Sequence, residues 1–191
     1  MTNKYIVDAN YRFIAAYQEV NTRISQRQQA LSLYATLVLS LLAALVALKP
    51  SDGGSVPVEW LLPGFPAASL CLAFLNYKGE RAISNLRRFL AALEQLNNAH
   101  EELPSYNTHP KWAMGANKAR RFHDLTAVVL VTAGNGIGLG AAMHIYPDRI
   151  AAAPLAIWGS VAVAIISILI LLLIPRWSYK PEGQNIQDLL N

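Results

Sequence analysis

The run TAGNGIGLGA at residues 132–141 is the part of this sequence that most resembles a chemical motif. Gly136, Gly138 and Ala141 satisfy G-x-G-x-x-G/A, whose small residues let a backbone approach a pyrophosphate at a helix N-terminus. A dinucleotide site also needs an Asp or Glu about 20 residues further on, for the ribose hydroxyl. Residues 150–175 contain no acidic residue. The same run holds two overlapping G-x-x-x-G pairs, Gly134 with Gly138 and Gly136 with Gly140. Glycines four apart strip one helix face of side chains and admit a second helix. The spacing therefore points to helix packing rather than to nucleotide binding.

Asn135 lies among these glycines. A primary amide in an apolar helix must find a hydrogen-bond partner. It either bonds across to another helix or lines a water-filled path. Ser32, Thr36 and Ser40 form a second polar set, at i, i+4 and i+8. Their hydroxyls either bond back to their own helix carbonyls or line a polar path. Ser160 and Ser167 are open to the same two readings.

Catalytic constellations are absent from the pattern. His100-Glu101-Glu102 is not H-E-x-x-H, because position 104 is Pro. His100, His109 and His123 match no metal-ligand spacing. Cys71 is the sole cysteine, which excludes an internal disulfide and a thiolate metal site. No nucleophile–base pair and no phosphate-binding loop is found, so neither an enzyme nor a cofactor is expected.

The elements that would position these residues are long and uncharged. The chain has 191 residues, 53% hydrophobic and 15% charged, against about 25% charged in ordinary soluble domains. No charge occurs at 28–48, 60–77, 125–147 or 150–175. A bilayer core needs roughly 20 apolar residues as a helix, so these runs predict four transmembrane helices. The run 60–77 is at the short end and carries Pro63 and Pro66. None contains Asp, Glu, Lys or Arg, which disfavours a proton- or sodium-coupled carrier.

Lys49 and Arg149 are the only basic residues in the short connections 49–59 and 148–154. The others flank the runs on the opposite side, as the positive-inside rule requires. The net charge of +4 therefore reads as topology, and no nucleic-acid partner is expected. Both termini and the segment 78–124 are expected in the cytoplasm. Trp60, Tyr146 and Trp158 are expected at the outer interface, and Tyr77, Trp177 and Tyr179 at the inner one. Nearly thirty polar-rich residues precede the first run, so no cleavable signal peptide is expected. The expected location is a bacterial inner membrane.

The fold class is therefore all-α: a polytopic membrane protein with four transmembrane helices in two hairpins and cytoplasmic helical extensions. Residues 1–104 would hold an N-terminal cytoplasmic helix, the first hairpin and a returning cytoplasmic helix. Residues 105–124 would form a basic juxtamembrane linker, 125–175 the second hairpin, and 176–191 a cytoplasmic tail. Phe13, Tyr17, Val20 and Ile24 recur with helical gaps, as do Ile83, Leu86, Leu90 and Leu93. These stripes predict that a helix from about 8 to 48 and one continuing to Pro104 pack together below the membrane. Residues 8–27 and 79–103 would then offer a docking surface to a cytoplasmic partner protein. Lys118, Arg120 and Arg121 would anchor the linker at anionic headgroups. The small-residue faces predict a homo-oligomer within the lipid bilayer.

The segments NTRISQRQQALSLY (21–34) and YKGERAISNLRRFLAALEQ (77–95) make the first half of the chain resemble the SLATT-type membrane effectors of bacterial antiphage systems. The second hairpin departs from that two-span pattern and looks closer to four-span relatives. The resemblance implies a pore-forming or membrane-perturbing effector controlled through its cytoplasmic helices. The alternative is a non-conducting sensor, scaffold or immunity subunit that recruits a cytoplasmic partner.

Overall fold

A computed structural model describes residues 8–48, 60–102 and 105–181, with side chains excepted at 98–100. All described regular structure is helical. Helix α1 spans Ala9–Ala47 and α2 Gly64–Glu94. After a turn come the short α3, Ala99–Glu102, and the long α4, Pro110–Ile145. Helix α5, Pro147–Ala151, leads to α6, Pro154–Leu173, which ends in a tighter turn at Ile174–Trp177.

Local chemistry accounts for these limits. Helices α4, α5 and α6 each open on proline, whose fixed φ suits the first turn and whose missing N–H has no helical partner there. Past the end of α2, Asn97 takes a left-handed conformation (φ 55°), which asparagine tolerates better than most residues. Gly79 does not interrupt α2. Residues 182–191 of the expected tail, the connection 49–59 and Pro104 lie outside the described residues.

Helices α1, α4 and α6 with its extension to Trp177 are long and apolar enough to cross a membrane. Helix α2 is not among them. Its apolar part, from Gly64 to Leu75, is only about 18 Å long at the helical rise. Asn76, Lys78, Glu80 and Arg81 follow directly.

The chain divides into two compact units. The first comprises Met1–Gln26, Lys78–Phe122 and Pro175–Asn191. Its apolar core is Ala16, Val20, Ile83 and Leu90, flanked by Phe13 and Leu86. The expected α1 stripe is thus rotated. Tyr17 and Ile24 are 51% and 36% exposed, and Ala16 takes the buried place instead. The segment read as a linker is also different in form. Residues 110–124 are continuous with the apolar part of α4, without a break.

The second unit comprises Arg27–Tyr77 and His123–Ile174. Its core includes Tyr34, Leu45, Phe65, Leu72, Val131 and Leu171. Tyr146 is buried and donates a 2.8 Å hydrogen bond to the Leu45 carbonyl. That carbonyl lies in the last turn of α1.

Candidate functional site

In the second unit the four glycines separate into two pairs. A Cβ on Gly134 would lie 2.8 Å from the Tyr34 hydroxyl and 3.4 Å from Val38. A Cβ on Gly138 would lie 2.8 Å from the Phe65 ring. These two glycines therefore admit α1 and α2 of the same chain. Gly136 and Gly140 meet nothing within 4 Å, and their face is open.

Asn135 uses its amide nitrogen twice, toward Ser69 Oγ at 2.7 Å and the Val131 carbonyl at 2.8 Å. Ser69 Oγ also lies 3.2 Å from the Tyr34 hydroxyl and donates to the Phe65 carbonyl at 2.9 Å. One hydroxyl offers a single donor and two acceptor sites. Ser69 can thus be fully satisfied, with Tyr34 and Asn135 donating to it. Three helices, α1, α2 and α4, meet at this group.

A cleft of about 190 Å³ lies beside Asn135 and Gly136, lined also by Leu62, Phe65, Ser160 and Ala164. Its volume is below the range of about 300–1,000 Å³ typical of small-molecule sites. The helix through the glycine run is continuous, so the strand–loop–helix unit of a dinucleotide site is not formed there.

Ser32, Thr36 and Ser40 point away from this interior. All three are exposed, and each bonds to the carbonyl four residues before it, at 3.3, 3.1 and 2.9 Å. Gln29 is exposed one turn earlier. The stripe faces out of the chain, while Tyr34 and Val38, on the other side of α1, are buried.

The same unit buries one ion pair. Arg27 donates to Asp124, and both side chains are 5% exposed. Arg27 Nε also donates to the amide oxygen of the fully buried Asn76. The pair joins residues at the start of two long uncharged runs. Local pattern could not show this, because the partners are 97 positions apart.

The first unit also buries charge. Glu80 and Arg87 are 0% and 2% exposed. Arg87 donates to Asn107 at 3.0 Å and to Asn117 at 2.9 Å, and its guanidinium stands 5.0 Å from the Tyr179 ring centre. Burial, with Arg120 nearby, lowers the Arg87 pKa to about 10, so the group is still cationic at neutral pH. Asn117 also donates to the Tyr179 carbonyl at 2.7 Å. Tyr179 is thus buried in this unit. Glu94 accepts from Asn107 N and Nδ2 and from Thr108 N and Oγ1. A carboxylate there favours the helix that begins at Pro110, because its first N–H groups carry partial positive charge.

The three basic residues proposed as headgroup anchors separate as well. Lys118 and Arg121 are exposed. Arg120 instead turns inward, bonding to Asn117 and lying 3.8 Å from Glu80 Oε1. Among the described residues, no three His, Cys, Asp or Glu side chains form a group able to hold a metal. No protein-family model, curated protein or solved structure matches the chain.

Proposed function

We propose that the chain is a bacterial inner-membrane protein whose copies associate into a pore or a membrane-perturbing assembly. The observation that carries this reading is the outward set Ser32, Thr36 and Ser40. A hydroxyl bonded to its own helix carbonyl keeps lone pairs for a second partner. Facing lipid, these lone pairs are unused. Facing the same stripe on other copies, they enclose water. The first unit is the controlling part in this reading, and the resemblance to SLATT-type effectors makes phage defence its setting. The proposed topology has two hairpins, with α2 as a short fourth crossing and both termini in the cytoplasm.

A second reading rests on a different surface. Tyr11, Ile14 and Tyr17 are 71%, 53% and 51% exposed in the first unit. This apolar face suits a cytoplasmic partner protein, and the chain would then be a non-conducting sensor, scaffold or immunity subunit. Reconstitution of the full chain in planar bilayers separates the two. Stepwise current that is lost on Thr36→Leu supports the pore. Absence of current under every lipid composition and voltage, with capture of a cytoplasmic protein that Tyr17→Asp abolishes, supports the subunit.

A further inference from the structure

We infer that the cleft beside Asn135 and Gly136 binds a small uncharged molecule with an apolar body and a single hydroxyl group, such as a phenol. The inference concerns the second unit alone and stands whether or not the chain conducts.

Both polar side chains in the cleft lining have unused hydrogen-bonding capacity. Asn135 spends its amide hydrogens on Ser69 and on the Val131 carbonyl. These bonds fix which end of the amide is nitrogen, and its oxygen has no partner among the described residues. Ser160 Oγ is buried and also without a partner. Thr132 and Ser167, on the same helices α4 and α6, return their protons to the carbonyl four residues before. Ser160 does not. The cleft therefore presents an unused acceptor and an unused donor. The rest of its lining is apolar and includes Leu62, Phe65, Leu139 and Ile165.

No Asp, Glu, Lys or Arg lines the cleft among the described residues. A charged ligand would lie there without a counterion, at high cost. Water is a poor filling. A buried water commonly makes about three hydrogen bonds, and this apolar space of about 190 Å³ offers few. A hydrocarbon chain fills the space but leaves the amide oxygen and the Ser160 hydroxyl unmet, which is costly in an apolar setting. A ligand hydroxyl donates to the Asn135 oxygen and accepts from Ser160 through the same atom. An apolar cavity of about 150 Å³ takes up benzene, so the cleft suits one ring or a short chain. Gly136 and Ile165 are exposed, so the cleft reaches the surface of α4 and α6. Both helices are long and apolar enough to cross a membrane, and the molecule enters by partition from the bilayer.

The test is fluorine NMR of para-fluorophenol and para-fluorotoluene with the full chain in lipid nanodiscs, against empty nanodiscs. The probes have nearly the same shape, and only the first carries a hydroxyl. Saturable binding of para-fluorophenol is expected, about tenfold tighter than para-fluorotoluene at equal concentration in the lipid, as net hydrogen bonds at both groups would give. Equal affinities overturn recognition through the hydroxyl. Absence of saturable para-fluorophenol binding overturns the site. Ser160→Ala is expected to weaken para-fluorophenol about fivefold, the worth of one such bond, and to leave para-fluorotoluene unchanged. An unchanged para-fluorophenol affinity overturns the proposal. A Cβ on Gly136 meets no atom within 4 Å, so Gly136→Leu fills the cleft from an open position. It is expected to abolish saturable binding of both probes at an unchanged thermal midpoint. Binding that persists in this variant overturns the assignment to the cleft. If Gly136→Leu does not fold, Ser160→Ala decides alone.

Discussion

Arg87 in the first unit and Ser69 in the second are both buried polar groups, yet their partners differ in chemistry. In the first unit amides meet Arg87 and Glu94: Asn107 and Asn117 accept from Arg87, and Asn107 also donates to Glu94. The second unit relies mainly on neutral groups, with Ser69 receiving Asn135 and Tyr34. Its buried ion pair, Arg27 with Asp124, is the exception. Losing one partner of a buried charge leaves that charge without compensation. Losing a neutral interhelical bond in an apolar setting costs far less. Charge content, rather than the number of bonds, should therefore rank the effects of substitution.

The exception supplies the strongest probe. Asp124→Ala leaves Arg27 with Asn76 but without its carboxylate. We expect a loss of about 3–5 kcal/mol, read as the largest fall in thermal midpoint in detergent. Glu94→Ala removes the acceptor shared by Asn107 and Thr108. Bonds to a charged group are worth about 1.5–3 kcal/mol, and this variant should rank second. Gly138→Leu drives a side chain into Phe65 and should cost about 1–3 kcal/mol, as overpacking does. Gly140→Leu meets no atom within 4 Å of its Cβ and should stay within about 0.5 kcal/mol. Equal effects at the two glycines would show that the close contact at Phe65 is not what distinguishes them. Asn135→Leu should be the mildest of the internal changes, near 0.6 and at most about 1.7 kcal/mol. If it matches Asp124→Ala, the ranking by charge is broken.

Much of the helical layout could be read locally. The uncharged runs, the prolines at 110, 147 and 154, and the apolar gaps along α2 all act over a few residues. The start of α1 near residue 8 and its end near 48 needed no tertiary information. Its buried face was harder. Phe13, Tyr17, Val20 and Ile24 make a good helical stripe, but so do Phe13, Ala16 and Val20. The second alternative is the one packed against Ile83 and Leu90. Alanine carries little hydrophobic signal, and its small size matters only when another helix is present to approach it.

The charged residues show the same limit. By residue type alone, Lys78, Glu80, Arg81, Arg87 and Arg88 all read as solvated charges. Arg81 and Arg88 are exposed, whereas Glu80 and Arg87 are buried. Arg120 looked equivalent to Lys118 and Arg121 until Glu80 and Asn117 were placed beside it.

Composition and periodicity sufficed to make this an all-helical chain with long apolar segments, because both act through backbone geometry and transfer from water. They also sufficed to remove the nucleotide reading of TAGNGIGLGA, since no acidic partner follows at the required distance. Folding then settled three matters that spacing left open. Gly134 and Gly138 receive side chains of their own chain, and Asn135 bonds to Ser69, while Ser32, Thr36 and Ser40 face outward. The reason is rotational. Helical spacing groups residues onto a face, but the direction that face takes depends on helices tens of residues away.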